Sequence, residues 1–298
     1  MPFDPRGLVD PTFFSRIESL ELRARGIVEG ALHGLHRSPY LGMSLEFSSH
    51  REYAPGDDLR HLNWKLFARH DRLYIKEYDA DTNMNVYLLV DVSASMGCAN
   101  AGRSKLHYAA SLAAALAHLA LRQRDAVGLT LYAEAVIDHL PPRAKTTQLD
   151  DILATIANVE VRKTTGTDRA LHHAAGLLRR RGLVVILSDL FGDVAAIAGG
   201  LEHLRFGNHE VLIVQVLDPY ERDLSVDGNI RFRDLETGES LTTQAEGIRD
   251  GYKRAVDDWR KALDAECRRR GIDRVELITT DPLDRALLDY LVARARTR

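Results

Sequence analysis

The sequence predicts an α/β protein built on a doubly wound, mostly parallel sheet with helices on both faces. A small β-rich block with an N-terminal helix precedes it. Three observations carry this reading. From residue 84 onward, strand-like and helix-like segments alternate, the order that builds parallel sheets through helical crossovers. Segments such as NVYLLVDVS, LVVILSD and EVLIVQVLD are nearly continuous apolar runs, as strands covered on both faces must be. The stretch from 44 to 83 is instead polar-rich, and its pieces LEF, REY and RLYIKEY alternate like short, half-exposed strands.

In chain order, residues 10–32 read as a helix, with Pro11 in its first turn and a stripe of Phe14, Ile17, Leu20, Leu22 and Ile27. A loop with Gly34, Pro39 and Gly42 leads into the β-rich block, where Pro55-Gly56-Asp57 marks a tight turn. The polar run Asp79 to Asn83 separates two domains, 1–83 and 84–298. The second opens with NVYLLVDVS and the Ala/Leu-rich helix KLHYAASLAAALAHLALRQ, whose small side chains permit close packing on a sheet. Strands DAVGLTLYA and AVIDHLP, helix TQLDDILATIANV, loop TTGTD and helix RALHHAAGLLRRR follow. Strand LVVILSD, a helix from Ala195 to Leu204, and strand EVLIVQVLD come next. Residues 223–242 suggest a hairpin excursion. The helix from Ala245 to Arg270 repeats Ile248, Tyr252, Val256, Trp259, Leu263 and Cys267 at steps of three or four. VELITT closes the sheet, and DPLDRALLDYLVARAR reads as a last helix.

Composition removes several function classes. The chain has 298 residues, with Lys plus Arg at 40 against 43 for Asp plus Glu, a net charge of -3. That balance disfavours gripping nucleic acid through bulk charge. Its two cysteines, Cys98 and Cys267, are too few for a disulfide framework or a thiolate zinc cluster and fit a reducing compartment. The start MPFDPRGLVD lacks an apolar core of signal-peptide length. The most apolar helix, Ala109 to Leu121, carries Ser111 and His118 and falls short of the roughly 20 residues needed to span a bilayer. A cytoplasmic location is expected.

Chemistry concentrates where strands end. In the extended segment Asp91-Val92-Ser93-Ala94-Ser95, alternate side chains point the same way, so Asp91, Ser93 and Ser95 can converge. A second carboxylate, Asp189, follows the strand LVVIL, and Thr167 lies in the loop Thr164-Thr165-Gly166-Thr167-Asp168 before a helix. Five hard oxygen donors without His or Cys suit Mg²⁺ or Mn²⁺ rather than zinc. With two carboxylates among them, the octahedral shell is left to waters or to an acidic group of another molecule.

These residues resemble the von Willebrand factor A-type fold and its metal-ion-dependent adhesion site. Asp91, Ser93 and Ser95 match the first element, Thr167 the second and Asp189 the third, while Arg124-Asp125-Ala126-Val127-Gly128-Leu129 is similar to the start of that family's second strand. The resemblance implies Mg²⁺-assisted protein binding, not catalysis. The third loop departs from the usual Thr-Asp-Gly, reading Ser188-Asp189-Leu190, and Leu190 is less free than Gly to adopt left-handed angles. The upstream block Arg51-Glu52-Tyr53-Ala54-Pro55-Gly56-Asp57-Asp58-Leu59-Arg60, with Asn63-Trp64-Lys65 and Ala68-Arg69, resembles the signature of the family called domain of unknown function 58. Segments RDLETGE and ITTDPLDRALLDYL are also typical of it, and the likeness covers about residues 40–295. It implies a partnership with a MoxR-type AAA+ ATPase in protein assembly or metal insertion.

Plainer readings compete. Asp and Ser at 91–95 are also helix-capping residues. Arg51, Arg60, Lys65 and Arg69 can form a docking surface or anion clamp, or Arg60 and Arg69 can pair with Asp57, Asp58 or Glu52 while Trp64 anchors the block. Gly97 to Ser104 resembles a phosphate loop but has Arg103 where the lysine belongs. An aspartate-nucleophile phosphatase needs a second carboxylate where Ser93 stands. His172-His173 reads as a helix-surface pair, and Arg179 to Arg181 as a cap on a helix C-terminus. The expected function is therefore a non-enzymatic interaction module. Metal-dependent phosphoester hydrolysis and a metal-free scaffold working through Arg51–Arg69 are the alternatives.

Overall fold

A computed structural model describes residues 47–53, 63, 66–67, 72–78, 84–100, 102–122, 124–145, 147–162, 166–235 and 238–283. The expected helix at 10–32 and the last helix beyond Leu283 lie outside the described residues.

The contacts divide the chain into two compact units, the smaller being Leu32–Asn83. In the smaller one, β1 (Phe47–Glu52) pairs antiparallel with β2 (Tyr74–Tyr78), from Phe47 opposite Tyr78 to Glu52 opposite Tyr74. The Tyr53 amide donates to Leu73 O at 2.9 Å and the Asn63 amide to Tyr74 O at 2.8 Å, prolonging the ladder into the flanking turns.

The larger unit holds a six-stranded sheet in the order β10-β7-β6-β3-β4-β5. Its strands are β3 (Asn85–Asp91), β4 (Ala126–Tyr132), β5 (Val136–Arg143), β6 (Gly182–Ser188), β7 (Glu210–Leu217) and β10 (Asp273–Ile278). All neighbours run parallel except β4 and β5. That exception sits at an edge, where Pro141 and Pro142 of β5 can lack ladder donors. Burial follows the sequence pattern: β6 is buried throughout, as a central parallel strand should be.

The helices are α1 (Lys105–Arg122), α2 (Thr147–Ala157), α3 (Thr167–Leu177), α4 (Val194–Phe206), the short α5 (Pro219–Asp223) and α6 (Ala245–Arg269). One core cluster packs α1 and α2 on the sheet and the other packs α3, α4 and α6, so both faces are covered. On α1, Ala109, Ala110, Ala113, Ala114 and Ala117 are fully buried. Their small side chains let the helix axis approach the strands. The hairpin is β8 (Asn229–Arg233) with β9 (Ser240–Gln244), running a little later than expected because α6 begins directly after Gln244. On α6, Leu263 and Cys267 are buried, and Trp259 packs half-buried against that cluster. Among the described residues, no helix is long and apolar enough to cross a membrane.

Arg179 to Arg181 correct the capping expectation. Helix α3 ends at Leu177 with no basic residue in its last turn. Leu178 turns extended and buries its side chain, drawing the chain into the core before the arginines. Their backbone serves instead: Arg180 O accepts from the Tyr87 hydroxyl at 2.9 Å and Arg181 O from Asn85 Nδ2 at 3.2 Å. Gly182 then enters β6 so close to β3 that a Cβ would stand 2.1 Å from Asn85 O. Gly182→Ala is expected to lower stability by about 3 kcal/mol, the upper end of ordinary overpacking, because backbone must move. A urea midpoint unchanged from wild type would contradict it.

The strand order places the site. On one side of β3 the chain continues to β4 and β5, and on the other to β6, β7 and β10. The direction of winding reverses between β3 and β6, which opens a crevice at their carboxyl ends. Those ends are Asp91 and Ser188.

Candidate metal centre

Strand β3 delivers Asp91 into this crevice with 1% of its surface exposed, and the chain then bends at once into a 3-10 turn, Ser95–Gly97. The bend is held locally. Asp91 Oδ1 accepts from the Ser93 amide at 2.9 Å, and Ser93 Oγ lies 3.1 Å from Ser95 Oγ. Val92 O accepts from the Arg162 amide at 2.8 Å, so the segment after α2 runs alongside the motif. From β6, the Ser188 hydroxyl donates to Asp91 Oδ2 at 2.6 Å and receives the Leu190 amide at 2.9 Å. Ser188 thus couples the two strand ends.

Burial, and then the nearby Asp189 charge, push the Asp91 carboxyl up to about 7, although the Ser188 and Ser93 hydrogen bonds pull the other way. The Tyr132 side chain at the end of β4 is also buried, close to Ser188 and Asp91. Burial, with the Asp91 charge adding to it, holds its pKa well above the ordinary tyrosine value.

Asp189 is committed elsewhere than the sequence pattern suggests. Its Oδ2 accepts from Lys105 Nζ at 2.7 Å, its Oδ1 from the Phe191 amide at 3.2 Å, and its backbone oxygen from Gln215 Nε2 at 2.8 Å. Lys105 Nζ also donates to Glu221 Oε1 at 2.6 Å, with the lysine side chain 0% exposed. Burial alone would lower the lysine pKa, but the carboxylates of Asp189 and Glu221 more than offset it and leave it raised. The Phe191 ring lies 5.4 Å from the ammonium and packs on Trp259 at 5.2 Å, while Trp259 Nε1 donates to Gly192 O at 3.0 Å. This strut fixes the loop after β6.

Leu190 takes the left-handed path despite its side chain, at φ 53° and fully buried. A non-glycine residue there costs about 1–2 kcal/mol, which burial of the leucine in the core offsets. The departure from Thr-Asp-Gly therefore changes the filling of this corner, not the turn.

Thr167 is the first residue of α3 and is buried. Its neighbour Gly166 lies against the turn after β4, where a Cβ would sit 3.3 Å from Glu134 Cα. That sets Thr167 next to the turn that follows β4, whose last residue, Tyr132, stands opposite Asp91 in the ladder. The geometry brings Asp91, Ser93, Ser95 and Ser188 into one hydrogen-bonded group and links it electrostatically to Asp189. Among the described residues, no three His, Cys, Asp or Glu side chains come together as a metal-holding group. Any metal would therefore rely on hydroxyl oxygens as well as carboxylates.

The donor chemistry fits a hard divalent cation. The donors are oxygens: Asp189 and Glu221 share one ammonium, Lys105, and the Asp91 carboxylate lies within electrostatic reach of Asp189. Carboxylate outnumbers ammonium in this poorly solvated place, an imbalance that a divalent ion would relieve.

Of the upstream motif, Arg51 lies in β1, and Tyr53 follows it, half-buried. Gly56, Asp57, Asp58, Arg60, Trp64, Lys65 and Arg69 lie outside the described residues. His172 and His173 are exposed on α3, as expected of a surface pair, and His172 Nδ1 faces His203 Nδ1 at 3.2 Å.

The family profile described as "Protein of unknown function DUF58" matches residues 49–262. The chain belongs to this family. An uncharacterised protein of Mycobacterium tuberculosis (strain H37Rv) is 30% identical to this DUF58 chain over 254 residues, covering 83% of it and 78% of the relative. Among solved structures, the conserved hypothetical protein BatB from Bacteroides thetaiotaomicron is 18% identical. It covers 72% of this chain and 100% of its own, with a TM-score of 0.46. The SpRpn10 VWA domain is 13% identical, covering 71% and 94%, with a TM-score of 0.36.

Sequence reasoning about this DUF58 chain missed Lys105, Glu221, Ser188 and Tyr132. Lys105 opens a helix, where lysine ordinarily faces solvent. Its one signal is placement: a lysine in the first helical turn opposes the positive end of the macrodipole and calls for a nearby carboxylate.

Proposed function

We propose that this DUF58 protein is a protein-interaction module whose larger domain holds Mg²⁺ or Mn²⁺ and uses it to bind an acidic group of a partner. Asp91, Ser93, Ser95, Thr167 and Asp189 are the residues that would hold the ion. When bound, it supplies a Lewis-acidic position that a carboxylate can complete. The observation that carries this reading is the buried excess of carboxylate over ammonium at the β3–β6 switch point, beside the paired Ser93 and Ser95 hydroxyls. The protein's own groups would shape the site: Ser188 orients Asp91, and the Phe191–Trp259 strut steadies Asp189.

The partner placed first is a MoxR-type AAA+ ATPase, in line with what the family resemblance implies, and the near balance of charge makes nucleic acid a poor candidate. Affinity capture from native lysate in Mg²⁺ is expected to retain an ATPase partner that EDTA or Asp91→Ala releases. Capture that ignores both EDTA and the substitution would refute the metal-dependent reading.

A further inference from the structure

One charged side chain at the crevice has no part in holding a metal ion, and it is the most buried of them. Lys105 Nζ sits 2.7 Å from Asp189 Oδ2 and 2.6 Å from Glu221 Oε1, with no exposed side-chain surface. We propose that Lys105 is a built-in competitor for the divalent cation: it claims Asp189 in the metal-free protein and passes to Glu221 when a metal ion takes Asp189. The inference rests on the metal-binding reading above and adds to it what sets the affinity.

Four features of the structure support the exchange. First, Asp189 Oδ2 accepts from the ammonium and Oδ1 from the Phe191 amide, so a metal ion that draws on Oδ2 meets the ammonium's positive charge at the same oxygen. Second, Glu221 is a ready second seat. Its Oε2 accepts from the Asp218 amide at 3.0 Å, and its backbone oxygen from the Tyr252 hydroxyl at 2.5 Å, so it stays in place whether or not Asp189 is available. Third, Asp218 anchors that seat from both sides, accepting from the Tyr220 amide at 2.9 Å and the Asn100 amide at 3.0 Å. Fourth, Lys105 opens α1, where the helix dipole repels a cation, so the ammonium depends on these two carboxylates for its stability.

Two cations competing for one carboxylate repel each other across a few ångströms of poorly solvated space. The lysine, being tethered, is always present at the site. A monovalent ion cannot offset it, whereas a divalent ion can. Metal capture is thereby tied to the short helix α5 that carries Glu221, so a partner pressing on that helix would alter metal affinity.

The test is Mn²⁺ binding to the full chain, followed by the electron paramagnetic resonance of free Mn²⁺, for wild type, Lys105→Met, Glu221→Gln and Asp91→Ala. Competition predicts that Lys105→Met binds Mn²⁺ at least tenfold tighter, and Glu221→Gln at least threefold weaker because the ammonium then has only Asp189. Equal or weaker binding by Lys105→Met overturns the proposal and makes Lys105 a positioning group for Asp189. Unchanged or tighter binding by Glu221→Gln overturns it also, and decides the matter alone if Lys105→Met does not fold. Binding that Asp91→Ala abolishes while the other variants match wild type refutes the competition and spares the metal reading. Absence of binding by every protein, wild type included, refutes both.

Discussion

In metal-free buffer at pH 8, Asp91→Asn is expected to be more stable than the wild-type protein, by on the order of 2 kcal/mol or more. The sign follows from the direction of the shift. Burial and the Asp189 charge raise the Asp91 pKa to about 7 in the folded chain, above the ordinary carboxylate value near 3.8. Above about 7 the folded protein carries an ionised Asp91 at full cost. As pH falls from there toward about 4 the folded state takes up a proton that the unfolded state does not, and the cost is relieved. The advantage of Asp91→Asn should therefore be largest at pH 8 and shrink across that window. Asparagine keeps an acceptor for the Ser93 amide and can still meet the Ser188 hydroxyl, so little is lost in exchange. Urea unfolding at pH 8, 6.5 and 5 in EDTA checks this. A variant less stable than wild type at pH 8 would mean that Asp91 is retained for its hydrogen bonds and that its buried charge is tolerated. A site that costs folding energy when empty is the pattern of a group kept for function.

Lys105→Met is expected to act oppositely on the metal-free protein, lowering its stability by about 3–5 kcal/mol, the range for breaking a buried ion pair by removing one partner. Asp189 and Glu221 would be left facing each other, Asp91 and the apolar core without a counter-charge. Methionine fills nearly the volume of the lysine stem, so the loss is electrostatic more than steric. Because the missing ammonium leaves a site with more negative charge, added Mn²⁺ should recover part of the lost melting temperature in this variant. Thermal unfolding with and without Mn²⁺ reads both effects. A metal-free Lys105→Met that melts with wild type would show that the two carboxylates are solvated or protonated, and that the lysine does little for the fold.

Most of the architecture was legible in the chain because it depends on patterns that run along one segment. The apolar run at 85–91, the alanine face of α1 and the Trp259, Leu263 and Cys267 part of the α6 stripe each report local burial, and the structure places them as central strand, close-packed helix and sheet cover. Arg179 to Arg181 mark where that logic stops. Three arginines after a helical pattern resemble a cap, but the helix ends at Leu177 because Leu178 is drawn into the core, a preference set by neighbours distant in sequence. Leu190 marks another limit. A leucine disfavours the left-handed conformation locally, and only the space available between α4 and the sheet shows that burial of its side chain makes the turn affordable.

By itself, the order of residues determined the alternation of strands and helices and the positions of Asp91 and Asp189 at strand ends. Those are properties of segments, and spacing carries them. The tertiary structure decided which charges meet: Lys105 reaches Asp189 across 84 positions and Glu221 across 116, and no local pattern encodes either meeting. Electrostatic energy in a buried place depends on distances of a few ångströms and on the water that packing removes, and both come into being only when the strands are laid side by side.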